Sequence, residues 1–179
     1  MFSRVFAFLI FVVVLAAARF IPHPPNFSPM LALALFAGAK APQKWLGYFA
    51  SVLALWMSDL VIGVHYMEII TGLAIVLAAG IGTFTENSLV HSSNAKKLFG
   101  WAASGFLASA VFFVVTNYFV WQTSGIYPVT SEGLVNCFVM GLPFFHYQVL
   151  STWLFSLIAF GGWTRFESLT SAAISEHRM

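Results

Sequence analysis

Charge is scarce in this chain: only 8% of its 179 residues are Asp, Glu, Lys or Arg, against roughly 25% in a soluble globular domain. So few charges cannot cover a water-soluble fold of this size. With 60% of residues hydrophobic and a mean hydropathy of +0.87, the solvent for most of the surface is lipid. Cysteine is nearly absent too: Cys137 stands alone, which excludes an intrachain disulfide. The net charge is only +2 and no basic run is interleaved with aromatics, which gives a nucleic-acid partner no footing. No Walker A motif occurs, so the chain cannot hydrolyse ATP itself to drive transport. There is no H-x-x-x-H, C-x-x-C or H-E-x-x-H pair at metal-ligand spacing, no nucleophile elbow, and no repeat of fixed period.

What is present is apolar helix. Charges, prolines and polar clusters cut the chain into six apolar segments, over residues 5–20, 27–39, 45–62, 67–85, 98–120 and 144–163. They read as one all-α transmembrane domain covering residues 1–179, a bundle of about six helices. The first segment follows Arg4 and ends in Ala16–Ala18, the outline of a secretory signal. More apolar helix follows it rather than a soluble domain, so it reads as a retained first span. Ser28 is placed to cap the second segment, with Pro29 at its first helical position. That segment is short for a span, which needs roughly 17–25 residues. Between the fifth and sixth segments a polar stretch, 122–132, leads into an apolar one, 133–142. The apolar stretch reads as a short helix across the bundle mouth, with Pro143 starting the sixth span.

Basic residues set the orientation. Counted by parity from the N-terminus, one side collects Arg4, Lys40, Lys44, Lys96, Lys97, Arg165 and Arg178, seven of the eight; the other holds Arg19 alone. Both termini are therefore expected in the cytoplasm, with the chain multi-pass in a bacterial inner membrane.

The side opposite the lysines carries a different chemistry. Arg19, His23 and Asn26 lie between the first two spans. Asp59 ends the third, with His65 and Glu68 just beyond it. Asn117 and Trp121 end the fifth. Tyr127, Glu132, Asn136 and Cys137 follow, and His146 opens the sixth. Ionisable groups at membrane depth are costly and face a cavity or a partner, so the set points to a polar pocket. Each member also has a plainer reading. Asp59 pairs as readily with Arg19, pinning two spans. Asn26 serves as a helix cap. Trp121, Tyr127 and Trp45 fit an interfacial aromatic belt. His65 and Glu68 fit a solvated loop, Cys137 a small buried hydrophobe, and His146 a donor to a loop carbonyl. His23, His65, Cys137 and His146 are also ligand types for a transition metal, though no spacing names one. Small residues recur four apart at Ala34 and Gly38, at Ala74, Ala78 and Gly82, and at Gly100, Ser104 and Ala108. Such stripes let helices approach closely.

The run from Arg19 to Pro29, RFIPHPPNFSP, continues into Ala32–Ala39. With Ser58-Asp59-Leu60, Gly63 and His65, then Asn117–Trp121, Tyr127-Pro128, Gly133-Leu134, Cys137 and Pro143–Phe145, it resembles an uncharacterised family of small six-span bacterial membrane proteins. That family in turn resembles the substrate-binding S components of ECF transporters. The resemblance implies a protein that is not an enzyme. It would capture a small solute of vitamin or metal type from outside the cell, with a transmembrane coupling subunit and ATPases as partners. The S-component pattern often has Ala-x-x-x-Ala on the first span; here Ala16–Ala18 stand instead. Two other readings remain open: an intramembrane metal- or thiol-dependent enzyme, for instance with a Cys137–His146 dyad, and a non-catalytic assembly subunit without a cavity.

Overall fold

The computed structural model describes residues 2–176, and over them every long element is an α-helix; Arg178 lies outside the described residues. Helix α1 is Phe2–Ala17, continued by a 3₁₀ turn at Ala18–Phe20. It is followed by α2 (Met30–Lys40), α3 (Lys44–Ile62), α4 (Glu68–Leu89), α5 (Asn94–Thr123) and α6 (Ser131–Glu176). Four of these, α3 to α6, are long and apolar enough to cross a membrane, so the chain is a helical membrane protein. Helix α1 has 16 residues and α2 only 11, each short of a full span.

Helix α2 organises the fold. Every residue from Met30 to Ala39 is buried, as a helix apolar on all sides must be. It packs against all five other helices and most extensively against α4. Glycine makes this possible. A Cβ at Gly38 would overlap the carbonyl of Ala79 on α4, and one at Gly82 would overlap the carbonyl of Leu35 on α2. Ala74 and Ala78, on the same stripe of α4, are buried as well, so the two backbones lie in direct contact. Hydrophobic burial has little force where lipid surrounds the bundle; close packing and polar contacts between helices replace it.

Both ends of α2 are secured. At its C-terminal end the Gly38 carbonyl accepts from Thr83 Oγ1 at 2.8 Å and from Lys44 Nζ at 3.5 Å, cations being favoured at that end of the helix dipole. At its start Met30 N–H donates to Ser28 Oγ at 3.4 Å and Leu33 N–H to the Pro29 carbonyl at 2.8 Å. The cap position is Pro29 and not Ser28, and proline offers no capping side chain; Ser28, one residue earlier, reaches only the Met30 amide.

Ion pairs identify the two ends of the bundle. Lys40 meets Glu86 at 2.5 Å and Arg4 meets Glu167 at 2.8 Å. Arg19 meets Asp59 at the opposite end of α3 from Lys44. Around Phe36 of α2, Phe8, Phe11, Phe160 and Trp163 form an aromatic plug next to Arg4 and Lys40, with Phe36 at 5.6 Å from Trp163 and 5.5 Å from Phe11 by ring centroid.

The sixth helix differs from expectation. No break occurs at Pro143, and the stretch 133–142 is no separate helix across the mouth; α6 runs unbroken from Ser131 to Glu176 with Pro143 inside it. Proline removes one rung of the helical ladder. Here Phe138 and Phe145 pack against Phe113 of α5, as does the backbone at Gly141, while Pro143 is exposed on the other face. The rung is lost where no neighbour depends on it.

Candidate functional site

A helix of 11 residues is about 16 Å long, half of a hydrocarbon layer roughly 30 Å thick. The bundle around α2 is taller, so a hollow stands above its N-terminus. Its volume is about 370 Å³, and it is lined from every element but α1, within the usual range for small-molecule sites. Arg19, His23, Asn26 and Ser28 come from the stretch joining α1 to α2, and Met30 and Leu31 from the first turn of α2. Thr71 and Ile75 lie on α4, Phe112, Thr116, Asn117 and Val120 on α5, and Gln148 on α6. His23, Asn26 and His65 are exposed and form its rim.

The rim loop is shaped by its prolines. Phe27 N–H donates to the Pro24 carbonyl at 3.0 Å, closing a turn with Pro25 second and Asn26 third. Asn26 has φ 61°, the one non-glycine residue with positive φ among those described. Proline then asparagine is the pattern of a type II turn, whose third position demands the left-handed region. Asn26 is therefore a turn residue and not the cap of α2.

Behind the hollow lies a charged group. Arg19 Nη1 donates to Ser58 Oγ at 2.6 Å and to the Leu55 carbonyl at 3.5 Å. Arg19 Nη2 stands 2.6 Å from Asp59 Oδ1. Asp59 is 1% exposed, and the ion pair is close but has no directed N–H···O bond, so neither carboxylate oxygen accepts a hydrogen bond. His65 Nδ1 accepts from Met67 N–H at 3.2 Å, which places its proton on Nε2, 3.8 Å from Glu68 Oε2. Both Glu68 oxygens are also buried without a donor. Asp59, His65 and Glu68 offer atoms within 4.8 Å of one another, the one such group among the described residues that could hold a metal ion. Arg19 already supplies a cation at this point.

The family's sequence profile matches residues 1–173 of the chain. The chain belongs to DUF6580, a family of unknown function. No curated protein and no solved structure matches it.

In this DUF6580 chain the ten residues singled out from sequence divide into two sets. Arg19, His23, Asn26, His65 and Asn117 line the hollow, with Asp59 directly behind Arg19. Trp121, Tyr127, Cys137 and His146 lie outside it. Trp121 Nε1 donates to the Pro128 carbonyl at 3.0 Å, securing the turn that carries Tyr127. Cys137 is buried and its Sγ donates to the Asn117 carbonyl at 3.4 Å. His146 is exposed, its ring against that of Tyr147. Of the four ligand-type residues, His65 alone joins the cluster of Asp59 and Glu68.

Sequence reasoning passed over Gln148, Thr71, Thr116 and Ser28 as lining residues. Gln148 carried a readable signal: it is an amide inside an apolar span, and polar groups there are costly unless they meet a partner or a cavity.

Proposed function

We propose that this protein is a six-segment, S-component-like carrier that binds a small solute in the hollow above α2, having captured it from outside the cytoplasm. In this reading α1 and the buried half-span α2 complete the six, both termini are cytoplasmic, and the membrane is the bacterial inner membrane. The observation that carries the proposal is the position of the hollow. It opens at the end that, among the described residues, holds one basic residue, Arg19, and is stopped toward the lysine end by α2, the aromatic plug and the Lys40–Glu86 and Arg4–Glu167 ion pairs. Lysine and arginine concentrate on cytoplasmic ends, so the open end faces outward.

A hollow open on one side and plugged on the other suits capture. Release needs a second conformation, and a partner that favours it supplies the difference in free energy. An apolar groove between α1 and α3, floored by Ala16, Ala17, Ala50 and Ala54, is the face we assign to a transmembrane coupling subunit with its ATPases.

Enzymatic chemistry has little support. Cys137 and His146 are nine positions apart on one helix, roughly 13 Å along its axis, and each is engaged elsewhere.

Native mass spectrometry of the full chain after mild extraction tests the proposal. A co-purified small molecule is expected on the wild type and not on Thr116→Trp, which fills the hollow. Equal occupancy in the two proteins, or none in either, would count against it.

A further inference from the structure

We propose that the solute is a small organic anion. Its carboxylate or phosphate oxygens are held by Arg19, Gln148 and the N-terminus of α2, and its apolar body lies against Met30, Leu55 and Phe112. The inference rests on the solute-binding reading above and adds the chemical class.

Three observations lead to it. First, no carboxylate lines the hollow. Of the three acidic residues at this end, Glu132 is exposed at the start of α6 and outside the hollow; the other two stand behind the wall, Asp59 against Arg19 and Glu68 against His65, and the nitrogen-bearing member of each pair lines the hollow. The guanidinium has five N–H groups, and its contacts with Ser58, Leu55 and Asp59 leave others free to donate. Second, α2 begins at the floor. Its amides at Leu31 and Ala32 fall between the two hydrogen bonds that enter the helix from its N-terminal flank, as donors without an intrahelical acceptor. The partial positive charge of the helix gathers there and favours an anion.

Third, and independently of the helix, Gln148 on α6 is 4% exposed and lines the same hollow. Its backbone carbonyl is taken by Ser151 and Thr152, but no protein group among the described residues hydrogen-bonds its side-chain amide. The amide is not among the fully enclosed polar atoms that lack a partner, so it opens into the hollow, where a ligand completes its bonding. Arg19, the start of α2 and Gln148 approach from three elements, and all supply N–H groups. The remaining lining is largely apolar, which sets the character of the rest of the molecule.

The test uses the purified full chain in mild detergent and probes matched in shape but not in charge. These are benzoate with benzamide, indole-3-acetate with indole-3-acetamide, and phenyl phosphate with phenol. Melting temperature is followed against probe concentration, since a ligand of the folded state raises it by mass action. The anionic member of a pair is expected to stabilise the protein and its neutral partner not. Comparing benzoate with phenyl phosphate tells carboxylate from phosphate.

Gln148→Leu has nearly the same volume. It should melt no lower than the wild type without probe, yet bind the anion about tenfold more weakly. Equal stabilisation by neutral and anionic members would overturn the anion inference and leave solute binding standing. Stabilisation by the anions that is unchanged in Gln148→Leu would move the site elsewhere. No shift with any probe would overturn the inference outright, while a retained small molecule in native mass spectrometry would still uphold solute binding.

Discussion

Arg19 and Asp59 meet where a charge can least afford to be alone. Asp59 is almost wholly buried, and taking away one partner of a buried pair costs about 3–5 kcal/mol, because the other charge is stranded. Arg19→Met is therefore expected to destabilise the protein by that amount, measured by thermal unfolding in detergent. Adding Asp59→Leu should recover most of the loss, since replacing a whole buried pair by apolar groups is often close to neutral. If the double variant is no more stable than Arg19→Met, the ion pair is not what holds Asp59. The sequence offers Asp59 two roles, pocket wall or partner of Arg19, and periodicity cannot choose between them. Distance chooses: Asp59 is the counter-ion, and Arg19 is the group that reaches the hollow. Asn26 shows a similar limit. A cap and a type II turn both favour asparagine, and only the backbone angle separates them.

Among the elements, α2 and α6 carry the two departures from a plain row of spans. The shortness of α2 was legible, because Pro29 and Lys40 bracket it. Its burial on every side was not, since an apolar segment in a membrane protein faces lipid or protein with the same composition. The small-residue stripe of α4 was the usable sign, and it packs on α2. Gly82→Val places a side chain on the Leu35 carbonyl and should cost at least about 1–3 kcal/mol. The check is the fraction of protein that elutes as a monodisperse peak after extraction; wild-type yield and stability would show that the two helices are not in close contact. In α6, Pro143 misled because proline usually bounds a helix. Within an unbroken helix, Pro143→Ala restores a rung, and stability should rise, by up to about 3 kcal/mol. A fall in stability would mean that the residue shapes the end of the bundle next to the hollow.

At the scale of the whole molecule, a half-span helix surrounded by longer ones creates the hollow, and the charge asymmetry is the ground on which we propose that it opens outward. The asymmetry was legible from eight basic residues alone, because the rule depends on which loops they occupy and not on packing. The hollow was legible only as a gathering of polar residues, five of which line it, while Gln148 and the floor of α2 required coordinates. Outward opening of the hollow is the claim on which the functional reading depends. Its most direct measurement is labelling of Ser28→Cys, in a Cys137→Ala background, with a membrane-impermeant maleimide in sealed vesicles of both orientations. The account predicts rapid labelling in right-side-out vesicles and none in inside-out vesicles until the membrane is permeabilised. Labelling confined to inside-out vesicles would place the hollow on the cytoplasmic side and contradict capture from outside.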